Sequence, residues 1–506
     1  VPNPIQTVLN IGSGGIIIDT ECQLSNGLPG ITIVGLGNKA VDESRERVRS
    51  AFASSQIVMP RKRITINLAP ADVPKDSTST DLAVALAILQ ADGQIKRALP
   101  EASAVIGELG LDGSVRPVRG IIGKLLVGQK HGLIRFFVPK GNVAQAQLIP
   151  GIQLLPVPSL KELVAGMNGQ ADLTEIDTLL GQDLPLRQMS FDHLLSDVVG
   201  QARAKRCMEI VAAGGHNILL NGPPGTGKSM LARALPSILP PLNRQEMLEV
   251  TQLHSLVSGD YDGLVTKPPI RAPHHSASHV AIVGGGNNLR PGEISLAHRG
   301  ILFLDELPEF ERKTLEALRQ PLEDRIVNVS RAKETATYPS DFILVATSNP
   351  CPCGFYGTAK PCICSASNIL RYRQKLSGPI LDRIDLYTEV EEVEHARLLS
   401  AHETDDEPIR KRIIRARDVQ ANRYQSTTKL NASMTNKDIR LRSNLQADAK
   451  QVLDTAAENL GLSARSYMRT IKVARTVADL DMSEEISTEH ITEALQYRSQ
   501  NFKTPQ

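Results

Sequence analysis

The 506-residue sequence contains no apolar run approaching the roughly 20 residues that a bilayer-spanning helix needs. It also lacks the basic, then apolar, then small-residue order of a secretory leader, and Val1 in place of Met implies a processed start. These absences speak against a membrane-spanning helix, and the expectation is a cytoplasmic protein. Charge imbalance is missing too: 57 basic residues meet 55 acidic ones, leaving a formal net charge of +2. Any binding of nucleic acid therefore falls to local patches rather than to a global field. Cysteine is scarce, at six residues, and four of these crowd into Cys351 to Cys364. That distribution fits a metal site better than a disulfide framework, while the isolated Cys22 and Cys207 read as buried thiols. No internal repeat or low-complexity block interrupts the chain.

What is present is the 41% hydrophobic content of a globular protein, in a chain too long for a single core. The fold class is α/β. Residues 1–165 alternate β-like runs, such as Ile31 to Val34, Ile64 to Asn67 and Phe136 to Val138, with helical patterns. Residues 166–189 lose the hydrophobic pattern and read as a linker. A second α/β unit spans 190–390, with apolar strands expected at Asn217 to Leu220, Gly300 to Leu304 and Phe342 to Ala346. Residues 391–506 read as a helical domain.

The first of these three strands runs into Gly222-Pro223-Pro224-Gly225-Thr226-Gly227-Lys228-Ser229 and then a helical pattern, the context that identifies a phosphate-binding loop. Glycines let successive backbone N–H groups curl around phosphate oxygens, Lys228 places a point charge at the β- and γ-phosphates of ATP, and Ser229 ligates Mg²⁺. The second strand ends in Asp305-Glu306, two carboxylates at the carboxyl edge of a parallel sheet, where ligands bind. Asp305 is expected to hold Mg²⁺ through its water shell and Glu306 to polarise the attacking water; a capping pair on a surface turn is the plainer alternative. The third strand leads to Asn349, able to hydrogen-bond the γ-phosphate or that water.

Taken together, these strands resemble an AAA+ ATPase, with Asn349 as sensor 1 and Val199-Gly200-Gln201 as the box beside the adenine. Ser377 to Leu386 resembles the AAA+ segment that presents an arginine finger to a neighbouring subunit, making Arg383 the candidate, although an Arg between two aspartates can simply be paired at a surface. In Ser463 to Leu480, Arg465, Arg469 and Lys472 share one helical face, which resembles a sensor 2 helix reaching back to nucleotide through Arg465 first and Arg469 second. A solvated basic face is the alternative. Arg475 falls on the apolar side and needs a partner such as Asp479.

Cys351, Cys353, Cys362 and Cys364 form two C-x-C pairs directly after Asn349, and four sulfurs suit a structural, tetrahedral Zn²⁺, with free or redox thiols as the alternative. This run, the segment Gly292 to Leu307 and the segment Leu462 to Leu480 resemble the magnesium-chelatase-like ATPases, in particular their competence-associated members, over essentially the whole chain. The resemblance implies a homo-hexameric AAA+ ring acting as an ATP-dependent DNA helicase on single-stranded and branched DNA. It also implies branch migration in natural transformation and homologous recombination, with recombination proteins as possible partners. Asp324 to Pro339 alternates like the pre-sensor-1 hairpin of related rings, giving Arg331 and Lys333 as DNA contacts; an exposed charged hairpin is the alternative. His274 to Pro291 reads as a hairpin loop rather than a histidine metal site.

The amino-terminal region resembles the proteolytic domain of Lon, with Ser79 at the serine position. The lysine position falls on Ile122, with Lys124 two residues later, so the expectation is a non-catalytic module lacking its base. Two rival readings share parts of this pattern: a magnesium-chelatase motor subunit and an ATP-dependent Lon-like protease.

Overall fold

The computed structural model describes residues 3–11, 14–34, 38–70, 78–178, 191–257, 264–286, 289–331, 334–375, 378–393 and 405–498. Its contacts divide the chain into two compact units: 1–186 with 243–266 and 330–337, and 187–242 with 267–329 and 338–506.

In the first unit, β1 (Ile5–Ile11), β2 (Gly14–Ser25), β3 (Gly30–Val34) and β4 (Arg63–Ala69) form a sheet of order β1-β2-β4-β3. Alternation along β4 turns Ile64, Ile66 and Leu68 into the core, as a period of two requires. The helix Asp81–Ala91 is apolar on all sides and is buried from Asp81 to Leu89. Next come β5 (Ser103–Val105), the short ladder of β6 (Glu108–Leu109) with β7 (Val115–Arg116), then β8 (Arg135–Pro139), β9 (Gln153–Val157) and β10 (Ile176–Asp177). These give a second sheet, β10-β9-β8-β5, parallel except at its β10 edge. The linker expected over 166–189 is thus corrected in part, because Ile176 and Asp177 pair with Leu154 and Gln153. The helix Arg244–Ser255 also belongs to this unit: Leu248 packs on the cluster that contains Ile121, Ile122 and Leu125.

In the second unit, β11 (Ile218–Asn221), β12 (Ile270–Arg271), β15 (Ile301–Leu304), β18 (Ile343–Ser348) and β19 (Leu386–Glu389) build a parallel sheet of order β12-β15-β18-β11-β19. Between them in sequence lie two small antiparallel ladders, β13 (Gly284–Gly285) with β14 (Arg290–Pro291), and β16 (Ile326–Arg331) with β17 (Glu334–Pro339), of which residues 330–337 count with the first unit. β18 is buried along its whole length because it lies inside a sheet covered on both faces. The helices beyond residue 405 share the core cluster of this sheet. Among them, Ala464–Leu480 is buried from Thr470 onward except at Lys472. Its Arg475 is fully buried: Nε donates to Asp479 Oδ1 at 3.1 Å, and the other nitrogens donate to the carbonyls of Ser443, Ser483 and Glu484. Arg475 has the partner its position demanded. Cys207 is buried and Cys22 only half-buried, and burial pushes both thiols up to about 12.

Candidate functional site

The phosphate loop joins β11 to the helix Lys228–Ile238, whose N-cap, Gly227, has a φ of 89°. An L side chain is strained there, so the glycine permits the turn that aims the first helical N–H groups into the loop. Lys228 is buried; its Nζ donates to the carbonyls of Gly222 at 2.6 Å and Pro223 at 2.7 Å, and to Asn349 Oδ1 at 3.1 Å. Burial lowers its pKa, and the nearby Asp305 and Glu306 oppose that shift. Ser229 Oγ donates to Asp305 Oδ2 at 3.0 Å, and Thr347 Oγ donates to Asp305 Oδ1 at 2.5 Å.

Three strand ends meet here because β11, β15 and β18 are parallel and adjacent, so their carboxyl termini share one edge. Glu306 leaves β15 in the left-handed region at a φ of 53°, rare for a non-glycine residue, and its N–H donates to Thr347 Oγ at 2.8 Å. Its Oε1 accepts from Asn349 Nδ2 at 3.4 Å. Thr347 escaped the sequence reading; its signal was a hydroxyl near the end of a buried strand. The expected adenine box abuts the end of β19, where Gln201 Nε2 donates to the Glu391 carbonyl at 2.6 Å.

The four thiols gather at the same edge. Their Sγ atoms all lie within 4.8 Å of one another, with Cys351–Cys353 at 3.4 Å, Cys353–Cys362 at 3.5 Å and Cys351–Cys362 at 3.7 Å. A tetrahedron of Zn–S bonds of about 2.3 Å has sulfurs about 3.8 Å apart, so this donor set fits zinc in number, chemistry and spacing.

Arg383 is mostly buried and ion-paired with Glu323. It lines a cavity of about 350 Å³ with Arg325, Asp382, Arg465, Arg469 and Lys472. Arg469 Nη1 donates to the Ile384 carbonyl at 2.7 Å. Arg465 and Arg469, expected to reach back to nucleotide, lie beside the Arg383 segment. Periodicity had grouped these side chains, but the packing of their helix decides what that face meets.

The hairpin expected over Asp324 to Pro339 is present as β16 and β17. Lys333 and the Arg331 side chain lie outside the described residues. In the second insertion the expected hairpin is present as the β13–β14 ladder, preceded by the short helix His279–Val283, and the His274 and His275 rings lie 4.1 Å apart.

In the first unit the expectation that Ser79 has no lysine beside it is corrected. Lys124 Nζ donates to Ser79 Oγ at 3.1 Å and to the Val8 carbonyl at 3.1 Å. Ser79 therefore has an amine beside it, and Ile122, at the aligned lysine position, is fully buried in the core. Burial lowers the Lys124 pKa to about 8.

A phosphate loop on the second of five parallel strands, two carboxylates on the fourth and a polar Asn on the third define an AAA+ domain of the magnesium-chelatase type. Models of magnesium chelatase subunit ChlI match residues 20–142 and 194–398, and that of its C-terminal region matches 403–498. The chain belongs to the ComM/YifB family of magnesium-chelatase-like AAA+ proteins. It is 43% identical over 499 residues to the uncharacterised protein YifB of Salmonella typhimurium, covering 98% of this chain and 96% of that one. It is 41% identical over 494 residues to the competence protein ComM of Haemophilus influenzae, covering 97% and 96%. A Lon protease of Mycolicibacterium smegmatis is 27% identical over 177 residues, 33% of this chain and 22% of that protease. Among the described residues no helix is long and apolar enough to cross a membrane.

Proposed function

We propose that the protein is a Mg²⁺-dependent ATPase that assembles as a homo-hexameric ring and drives branch migration of DNA. The observation that carries the ATPase reading is the meeting of Lys228, Ser229, Asp305, Glu306 and Asn349 at one sheet edge. In this reading Lys228 and the loop N–H groups bind the phosphates, and Ser229 and Asp305 hold Mg²⁺, which neutralises phosphate charge. Glu306, oriented by Asn349, takes a proton from the attacking water. Arg383, together with Arg465 and Arg469, faces the ATP of a neighbouring subunit. The shared cavity of these three arginines supports that role, because their charge is concentrated away from the phosphate loop of their own chain.

The DNA assignment is supported by likeness to a competence protein and by the β16–β17 hairpin. With a net charge of only +2, DNA contacts concentrate at such local elements, Arg331 and Lys333 among them. The test is a synthetic Holliday junction incubated with purified protein, Mg²⁺ and ATP. Branch migration with DNA-stimulated hydrolysis is expected; absence of both sinks the DNA-motor reading. ATP-dependent action on a porphyrin metal site instead would favour a chelatase motor.

A second reading is favoured by one observation, the Ser79–Lys124 contact. In its deprotonated form, favoured by burial, the Lys124 amine would take the Ser79 proton as Oγ attacks a carbonyl carbon, then return it to the leaving amine before water releases the acyl group. Casein cleavage or fluorophosphonate labelling lost in Ser79→Ala is its signature; no labelling of the wild type assigns the pair to structure alone.

A further inference from the structure

We infer that the four-thiol insert, with a metal ion bound, forms one wall of the pocket for the nucleotide's base and ribose, so that metal occupancy sets nucleotide affinity. This rests on the Mg²⁺-ATP reading of the phosphate loop. In that reading the γ-phosphate end lies by Lys228, the first residue of the helix after the loop, and by Asp305 and Asn349, just past β15 and β18. A nucleotide is linear, so its base and ribose leave the loop on the opposite side, toward β19. A cavity of about 730 Å³ lies there, within the range of small-molecule sites. Gly222 and Pro223 of the phosphate loop and Glu391 beyond β19 line it on one side, and Tyr356, Thr358 and Arg373 on the other. The second group belongs to the thiol insert and the helix that follows it.

Two contacts tie that wall to the thiols and to the loop. The backbone N–H of Tyr356 donates to Cys351 Sγ at 3.3 Å, so one thiol of the cluster also holds a residue that lines the cavity. The Arg373 guanidinium lies over that ring at 5.3 Å, which fixes its plane. Gly354 packs on the phosphate loop: a Cβ built there meets Pro224 Cδ at 2.5 Å, and its φ is 87°. Tetrahedral coordination would lock Cys351, Cys353, Cys362 and Cys364 into one spacing, and with them the turn that carries Gly354 and Tyr356. Released thiols would leave the turn without that constraint, and the pocket without a fixed wall.

The experiment is a titration of the full chain with the fluorescent nucleotide mant-ADP, with bound metal counted by atomic emission on the same samples. Cys362→Ser loses metal and weakens mant-ADP binding about tenfold or more. Gly354→Val leaves all four thiols in place, keeps metal, and weakens binding to a similar degree. Chelator-stripped wild type binds weakly and recovers on adding Zn²⁺, which keeps the outcome readable if a variant misfolds. Wild-type affinity in stripped protein, or in metal-loaded Gly354→Val, overturns the proposal. Failure of metal-loaded wild type to bind mant-ADP at all overturns the nucleotide reading instead, and wild type that takes up no Zn²⁺ overturns the metal half.

Discussion

Lys228 and Asn349 are joined directly, Nζ to Oδ1 at 3.1 Å, and the other end of the same amide reaches Glu306 at 3.4 Å. One side chain therefore registers the phosphate-binding lysine against the carboxylate assigned to activate water. Asn349→Ala is expected to lower kcat by about 10- to 100-fold while leaving mant-ADP affinity within a few-fold, because the loop that binds phosphate remains. Equal loss of affinity and rate would show that Asn349 serves binding alone.

Glu306→Gln keeps the shape of the side chain and removes its basicity. Steady-state phosphate release is expected to fall by about 100-fold or more with nucleotide still bound. Near-wild-type turnover would move the base elsewhere.

Arg383→Ala is expected to abolish hydrolysis as completely as Glu306→Gln, yet a mixture of the two inactive proteins regains activity. In a heterologous ring assembled at random from equal parts, roughly a quarter of interfaces carry both intact residues. A mixture as dead as its components would show that Arg383 acts within its own subunit or not at all.

Lys124 makes stability depend on pH. Its folded pKa of about 8 lies below the ordinary value of 10.5, so between these values the unfolded chain binds more protons and stability rises with pH. The rise amounts to about 3 kcal/mol at ~1.4 kcal/mol per pKa unit. The difference between wild type and Lys124→Met in urea unfolding is expected to grow over that window in favour of wild type; a constant difference would contradict the burial-driven shift.

Arg475→Ala strips a fully buried guanidinium from Asp479 and three carbonyls, leaving Asp479 to Arg423 and Asn431. Breaking such a buried pair costs about 3–5 kcal/mol, visible as a several-degree drop in Tm. A variant as stable as wild type would mean that the remaining partners suffice.

The sequence placed Asp305, Glu306 and Asn349 at strand ends because short apolar runs followed by polar residues are a local signal, and the structure has them after β15 and β18. Orientation was less legible. Residues 122 and 124 are about 200° apart around a helix, so only one of them can face Ser79, and counting positions chose the wrong one. Similarly, Arg465 and Arg469 were grouped correctly on one face, but which neighbour the face meets is set by long-range packing. The helix Arg244–Ser255 follows the phosphate-loop segment in sequence yet packs with the first unit, a pairing no local pattern encodes.

The bond from Arg469 to the Ile384 carbonyl gives the last helical region a mechanical role. A side chain rooted in a long, buried helix grips the backbone of the turn that carries Arg383, one residue away. The helix and the turn are thereby pinned together, with Arg383 seated one residue from the bond.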